Sequence, residues 1–206
     1  MALPESVEAL ASRLLPYDAP VADPTGRRAA AVLIALHGGE DGVRIVFVEK
    51  GAHVRSHAGQ VAFPGGRDEK IDANPLATAL REAREETGIE PASVMPLGIL
   101  PVGDTRVDFD VTPVVGWWTG DESLAAGDIG EIAAVHDLDV DDLLDPANRL
   151  AWQLPNGHTG PGFVVGDLFI WGFTAGLLDS LFELAQWTVP WDETRCVPVP
   201  SRFHRR

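Results

Sequence analysis

Short apolar runs recur along most of the chain and predict a protein built around β-strands. Residues 29–36 are almost continuously apolar, and residues 43–48 repeat this character after a turn rich in glycine. Apolar runs of this length, bounded by turn residues, are typical of buried strands, so the pair predicts a hairpin. Similar runs predict further strands at 60–63, 94–102, 107–118, 130–135, 150–154 and 163–170.

Helical spacing of apolar residues marks both ends of this strand-rich region. It predicts an N-terminal helix at 6–15 and a second amphipathic helix at 172–187. A short acidic helix is predicted at 140–144, with Asp139 as its N-cap. Proline and aspartate are frequent in residues 17–26, which predicts a loop there.

The order of these elements predicts one α+β domain in which a mixed central sheet lies between helices. The domain is predicted at 28–187, after an N-terminal helix and linker at 1–27. A chain of 206 residues is large enough to bury a core of its own. Prolines interrupt the pattern of residues 188–206, which are therefore predicted to be an irregular C-terminal arm.

The clearest predicted helix covers residues 75–87 in the middle of the chain. Asn74 is a favourable N-cap, Pro75 is tolerated at the first helical position, and Gly88 is a favourable stop. A mostly apolar face is formed by residues at 4-3-4 spacing, namely Leu76, Leu80, Ala83 and Thr87. We expect this face to pack on the sheet.

Three glutamates of this helix, Glu82, Glu85 and Glu86, lie three and four residues apart and share another side. Their repulsion costs roughly 0.2–0.5 kcal/mol per pair, and the helix dipole also disfavours anions near the C-terminus. Arg81 and Arg84 could offset this as surface ion pairs. Alternatively, the carboxylates hold a divalent cation together with backbone carbonyls of the predicted loop at Gly65-Gly66, which precedes the helix. The residue pattern alone leaves both readings open.

The same stretch carries a recognisable motif. The pattern Arg-Glu-apolar-x-Glu-Glu-x-Gly-apolar is matched by Arg81, Glu82, Ala83, Glu85, Glu86, Gly88 and Ile89. This pattern resembles the second half of the signature of the Nudix hydrolases. The first half departs from it, because Asp72 stands where the family has a glutamate. Eight residues, instead of the usual seven, separate Asp72 from Arg81.

A second motif lies upstream, with the form Arg-x₃-Gly-x₃-Phe-Pro-Gly-Gly. It is matched by Arg55, Gly59, Phe63, Pro64, Gly65 and Gly66. Together with the longer spacing, it resembles the coenzyme A pyrophosphatase branch of the family. The beginning of the branch motif, Leu-Leu-Thr-x-Arg-Ser, is half kept. Lys50 keeps the positive charge, whereas Val48 and Gly51 replace the two hydroxyl residues.

The resemblance implies a Nudix-type α/β/α sandwich and a divalent metal cofactor, Mg²⁺ or Mn²⁺. It implies Glu82 and Glu86 as metal ligands, with the carbonyl of Gly66 as a further ligand. Glu85 is then another ligand or the residue that orients water. Glu131 resembles the glutamate outside the signature that completes the metal shell or acts as base in many family members. Glu85, Glu86 and Glu131 are accordingly the predicted catalytic residues.

The resemblance also implies residues that act around this centre. Arg81 resembles a brace that fixes the direction of a helix carboxylate, and Asp72 is interpreted as structural. The predicted substrate-binding residues, which would contact phosphate or lie beside it, are Arg55, His57, Gly65 and Arg67.

The predicted function is metal-dependent hydrolysis of the pyrophosphate bond of coenzyme A or a derivative, giving 3',5'-ADP and 4'-phosphopantetheine or its acyl form. The altered residues around Lys50 favour an alternative, a Nudix pyrophosphatase acting on another nucleoside diphosphate derivative such as ADP-ribose or NADH. A further alternative is a catalytically inactive ligand-sensing module that keeps the fold. The three glutamates of the signature, Glu82, Glu85 and Glu86 (the box glutamates), are all present, which disfavours this last alternative.

Composition narrows the class of protein. The formal net charge of −15 argues against nucleic acid as a general partner, although a metal and a few arginines can still bind a small phosphorylated substrate. Cys196 is the only cysteine, so an intramolecular disulfide is excluded.

Glu5 and Glu8 argue against a secretory signal, and the apolar run at 168–178 is too short to span a membrane. A cytoplasmic enzyme is predicted, with monomer and homodimer both open.

Overall fold

The computed structural model describes residues 2–17, 28–40, 42–54, 57–101, 109–120, 123–127 and 130–203. Its α-helices are α1 (Glu5–Ala11), α2 (Pro75–Thr87), α3 (Val140–Leu144) and α4 (Gly172–Ala185). The first strands are β1 (Arg28–Gly38), β2 (Val43–Lys50), β3 (Val61–Ala62), β4 (Gly65–Arg67), β5 (Val94–Ile99) and β6 (Phe109–Trp118). The later strands are β7 (Ile132–Asp139), β8 (Arg149–Gln153), β9 (Thr159–Val165), β10 (Leu168–Ile170) and β11 (Cys196–Pro198).

Within these described residues, seven strands form one mixed sheet in the order β3-β2-β1-β6-β5, with β4 paired to β1 and β7 to β2. The predicted hairpin is confirmed, because β1 and β2 pair antiparallel through Leu36 and Ile45. β1 pairs parallel with β6, where Leu33 lies opposite Val114. The sheet is therefore mixed, as the sequence predicts.

Helices cover both faces of this sheet. On one face, Ala79 and Ala83 of α2 pack against Leu33 and Val46. The opposite face carries α1, α3 and α4, through buried residues that include Val7, Leu10, Phe47, Leu143, Leu177 and Leu181. The core thus lies in two layers, and the predicted α+β sandwich is confirmed.

A second sheet of four strands, β10-β9-β8-β11, is present in the described part of the chain. The predicted strand at 163–170 is in fact two strands, because the chain turns at Gly166 with φ +57°. The C-terminal arm is not irregular throughout, since β11 pairs parallel with β8. The reason is apolar burial, because Val199 and Phe203 pack against Leu150.

Some boundaries differ from the predicted ones. The first helix ends at Ala11, and the backbone of Leu15 instead exchanges two hydrogen bonds with Ile99, of 3.0 and 2.8 Å. Asp139 precedes α3 but makes no capping bond, because its carboxylate accepts a hydrogen bond of 2.6 Å from Arg44. The predicted loop at 17–26 lies, apart from Tyr17, outside the described residues. In the described part, no helix is long and apolar enough to cross a membrane.

Candidate active site

Helix α2 begins and ends where the sequence predicts. The side chain of Asn74 accepts a hydrogen bond of 2.9 Å from the N–H of Ala77. At the other end, Gly88 adopts φ +79°, and its N–H donates to the carbonyl of Arg84 at 3.0 Å. The buried face is rotated from the predicted one, because Glu86 lies on it with 5% of its surface exposed. One box glutamate therefore faces the sheet and not the solvent.

The two glycines that precede the helix form strand β4, which pairs with β1, instead of the predicted loop. A Cβ atom on Gly65 would lie 2.4 Å from the carbonyl oxygen of Ala31. A Cβ atom on Gly66 would lie 2.5 Å from a carboxylate oxygen of Glu82. At Gly65 the neighbouring atom belongs to the backbone, so glycine is required for the close approach of β4 to β1. At Gly66 the neighbouring atom is the end of the Glu82 side chain, so a larger residue there would displace that carboxylate.

Glu86 connects three elements of the fold. One of its carboxylate oxygens accepts a hydrogen bond of 3.0 Å from the N–H of Gly65, and the other is ion-paired with Lys50 at the end of β2. Burial raises the pKa of Glu86, and the charge of Lys50 opposes that rise. The Lys50 ammonium also lies 3.5 Å from a carboxylate oxygen of Glu131. Lys50 therefore brings Glu86 and Glu131 together.

Arg81 organises the other two glutamates. Its guanidinium donates to Glu82 at 3.0 Å and to Glu85 at 3.3 Å. It is anchored by Asp72 at 3.1 and 2.9 Å and by the carbonyl oxygen of Arg67 at 2.9 Å. The hydrogen bond to Asp72 raises the pKa of Arg81, and in return Arg81 lowers the pKa of Asp72 to about 2. These contacts are those of a brace.

Glu82 and Glu85 differ in environment although they share Arg81. Burial is the largest influence on Glu82 and raises its pKa, whereas the guanidinium of Arg81 favours the charged form. The side chain of Glu82 is 17% exposed and that of Glu85 is 59% exposed. Glu82 therefore lies inside the site beside Gly66, and Glu85 lies at the solvent-exposed edge of the site.

The predicted convergence of the glutamates on one point is not seen. In the part of the chain that the structure describes, no group of three or more His, Cys, Asp or Glu side chains is arranged to hold a metal ion. Glu82 and Glu85 are turned to Arg81, and Glu86 and Glu131 are turned to Lys50. The metal assignment accordingly stays a prediction.

The chemistry of the donor set nevertheless fits a hard divalent cation. Including Asp72, five carboxylates form ion pairs with the cations of Arg81 and Lys50. Carboxylate oxygens are the ligands that Mg²⁺ and Mn²⁺ prefer. Excess negative charge that is partly removed from water favours the binding of a cation.

The predicted substrate-binding residues have different positions. Arg55 lies outside the described residues. His57 lies 3.1 Å from the side-chain oxygen of Gln60 and lines a cavity of about 820 Å³. The N–H of Gly65 is taken by Glu86, and Arg67 contributes its carbonyl oxygen to Arg81.

Two features of the site were missed by sequence reasoning. The sequence pattern marks Lys50 only as a motif position. Its contact with Glu131 depends on the pairing of β2 with β7, and its contact with Glu86 depends on the packing of α2 against the sheet. Gly127 packs against the end of α2, where its N–H donates to the carbonyl of Glu86 at 3.2 Å and a Cβ atom would lie 1.7 Å from the carbonyl oxygen of Glu85. No local pattern around Gly127 signals that contact.

Comparison with known proteins decides the family. A family model of the NUDIX domain matches residues 26–155. The chain belongs to the Nudix family. It is 39% identical over 166 residues to an uncharacterized Nudix hydrolase, NudL, of Enterobacter sp. (strain 638), covering 77% of this chain and 83% of the relative. A NudL protein of Escherichia coli (strain K12 / DH10B) is 34% identical over 166 residues, covering 75% and 81% of the respective chains.

Solved structures of Nudix proteins share the fold. A Nudix hydrolase of M. Smegmatis, RenU, superposes with a TM-score of 0.55 at 16% identity, covering 81% of this chain and 91% of that one. An Ap4A hydrolase of C. elegans gives a TM-score of 0.51 at 12% identity, covering 78% and 98%. At these identities the likeness concerns the Nudix fold alone. Family and relatives together make this chain a Nudix pyrophosphohydrolase, as the sequence predicts.

Proposed function

We propose that the protein is a divalent-metal-dependent pyrophosphatase that hydrolyses coenzyme A or a derivative into 3',5'-ADP and 4'-phosphopantetheine or its acyl form. The observation that carries the proposal is the upstream motif from Arg55 to Gly66, together with the extra residue between Asp72 and Arg81. The motif ends in β4, whose glycines lie against Glu82 and Glu86. The end of the upstream motif therefore lies beside two of the signature glutamates, which supports the proposal.

The proposed metal ligands are Glu82, Glu86 and the carbonyl of Gly66, which would hold Mg²⁺ or Mn²⁺. Glu85 is either a further ligand or the residue that orients water. When bound, such an ion neutralises phosphoryl oxygens and lowers the pKa of water. Arg81 keeps the Glu82 carboxylate directed at Gly66. This orientation matters because a loss of about 10–100-fold in metal affinity is typical when a residue that orients a ligand is removed.

Proton transfer is assigned to an exposed carboxylate. Glu85 and Glu131 are the candidates, since each has a side chain that is 59% exposed. A carboxylate in contact with solvent can accept a proton from the attacking water and release it again to bulk water. Glu86, with 5% of its surface exposed and its carboxylate bonded to Gly65 and Lys50, is proposed to act in catalysis through metal binding.

The cavity beside His57 supports a substrate with a long non-phosphate part. Trp171, Phe173 and Phe203 line it, together with Gln60. The segment that borders the cavity is joined to Lys50, whose N–H donates to the carbonyl of Gln60 at 3.0 Å. Aromatic walls with a few polar groups are typical of small-molecule sites. We assign the cavity to the moiety attached to the diphosphate.

Product identification tests the proposal most directly. Purified protein is incubated with Mg²⁺ or Mn²⁺ and with coenzyme A, ADP-ribose or NADH, and the products are identified by mass spectrometry. We expect coenzyme A to have the highest kcat/KM and to yield 4'-phosphopantetheine. Glu86→Gln should lower kcat by at least about 100-fold. Glu90→Gln, at an exposed residue just after α2, is the matched control and should leave the rate unchanged.

A second candidate substrate class has its own supporting observation. Lys50 replaces the arginine of the branch motif and cannot make the bidentate phosphate contact of an arginine. If ADP-ribose or NADH is turned over faster than coenzyme A, this alternative is correct and the coenzyme A assignment is wrong. A complete lack of metal-stimulated turnover on all three would support the inactive sensing module instead.

A further inference from the structure

The side chain of Lys50 lies between two carboxylates of the candidate site. Its ammonium is ion-paired with Glu86 and lies 3.5 Å from Glu131. We infer that Lys50 is an internal competitor of the divalent cation, because both would bind the same carboxylates and Lys50 must leave when the metal binds. This inference rests on the proposed metal site.

The backbone around Lys50 is fixed on both sides. Its N–H donates to the carbonyl of Gln60 at 3.0 Å, and its carbonyl accepts from the N–H of Gly59 at 2.9 Å. The following residue, Gly51, donates to the carbonyl of Glu131 at 2.7 Å, and a Cβ atom there would lie 2.8 Å from the carbonyl oxygen of Gly130. The start of the Lys50 side chain is therefore held beside Glu131, and only its flexible stem can move.

Burial explains why a cation is needed at this point. Glu86 is 5% exposed, and a buried carboxylate without a partner is strongly disfavoured. Lys50, whose side chain is 16% exposed, supplies a positive charge to this carboxylate. A divalent ion on the same carboxylate would repel the ammonium. Displacing Lys50 is then part of the free energy of metal binding and lowers the observed affinity.

Arg81 is not a competitor of the same kind. Its guanidinium stays anchored by Asp72 and by the carbonyl oxygen of Arg67 whether or not it contacts the box glutamates. Lys50 has no such anchor, since its ion-pair partners among the described residues are Glu86 and Glu131. Its ammonium sits on a flexible four-carbon stem, so it can swing out of the site.

The test measures metal binding without substrate. Free Mn²⁺ is followed by electron paramagnetic resonance at about pH 8, where ordinary carboxyl groups are ionised. We expect Lys50→Met to bind Mn²⁺ about tenfold more tightly than the wild type, a difference of about 1.4 kcal/mol. Lys50→Arg, which keeps the charge, is the matched control and should bind within about threefold of the wild type.

Each outcome decides between the proposals. If Lys50→Met keeps native circular dichroism and binds Mn²⁺ no more tightly than the wild type, Lys50 is only a structural partner and the inference is wrong. If neither protein binds Mn²⁺, the proposed metal site fails and the inference fails with it. Lys50→Gln repeats the test should Lys50→Met not fold. A negative result with coenzyme A does not affect this measurement, because no substrate is present.

Discussion

The pair formed by Asp72 and Arg81 allows a sharp test of how the site is built. Asp72 is where the chain departs from the family signature, and the structure gives it a clear task. Its carboxylate accepts hydrogen bonds from Arg81 at 3.1 and 2.9 Å and from the N–H of Glu69 at 2.9 Å. The substitution Asp72→Asn keeps the shape and one acceptor oxygen but removes the charge.

The expected loss follows from burial and geometry. The side chain of Asp72 is 4% exposed and that of Arg81 is 16% exposed, so water replaces the lost contact poorly. A hydrogen bond to a charged group contributes about 1.5–3 kcal/mol. We therefore expect Asp72→Asn to lower the free energy of unfolding by about 2 kcal/mol at neutral pH. In a chain of 206 residues this corresponds to a fall in Tm of about 4–8 °C.

The loss has a defined pH dependence. In the folded protein the pKa of Asp72 is lowered from 3.8 to about 2 by its hydrogen bond to Arg81. A lowered folded-state pKa stabilises the protein above the ordinary value, and this stabilisation disappears as the pH falls through the folded value. The difference between wild type and Asp72→Asn should be constant from about pH 7 to pH 5 and shrink between about pH 4 and pH 2.

Urea denaturation followed by circular dichroism measures this difference at each pH. Asp68→Asn, at an exposed neighbouring carboxylate, is the matched control and should change the free energy of unfolding by less than about 0.5 kcal/mol. A loss for Asp72→Asn below that value at pH 7, or a loss that does not shrink in acid, would refute the reasoning. Weaker Mn²⁺ binding by Asp72→Asn would show in addition that Asp72 acts through Arg81 on the position of the Glu82 carboxylate.

Two further predictions concern a close contact in the site and a buried ion pair outside it. Gly66→Ala places a Cβ atom 2.5 Å from the Glu82 carboxylate, so Mn²⁺ affinity should fall by about tenfold or more in a calorimetric titration. Gly176→Ala, which has open space around it, should leave that affinity unchanged. Asp179→Ala removes the ion-pair partner of Arg149, which is 1% exposed, and should cost about 3 kcal/mol or more in urea denaturation. The Arg149 guanidinium also lies over the rings of Phe163 and Trp191, 4.4 and 4.6 Å from their centroids. A loss below about 1 kcal/mol would show that these cation–π contacts are enough to stabilise the buried charge.

The sequence determined the parts that depend on local chemistry. Asn74, Pro75 and Gly88 define the bounds of α2 through capping, which involves only neighbouring residues along the chain. The hairpin of β1 and β2 follows from apolar runs that must be buried. The signature from Arg81 to Ile89 led to the family that the comparisons show.

The tertiary structure decided which distant residues meet. Sequence spacing places Glu86 on a helix but not against the N–H of Gly65 or the ammonium of Lys50, because those contacts depend on strand pairing across the sheet. The tail looks irregular in the sequence, since a strand of three residues becomes recognisable only when β8 is there to pair with it. The bounds of a helix depend on residues that are adjacent in the sequence, whereas the partners of buried charges depend on how helices and strands pack.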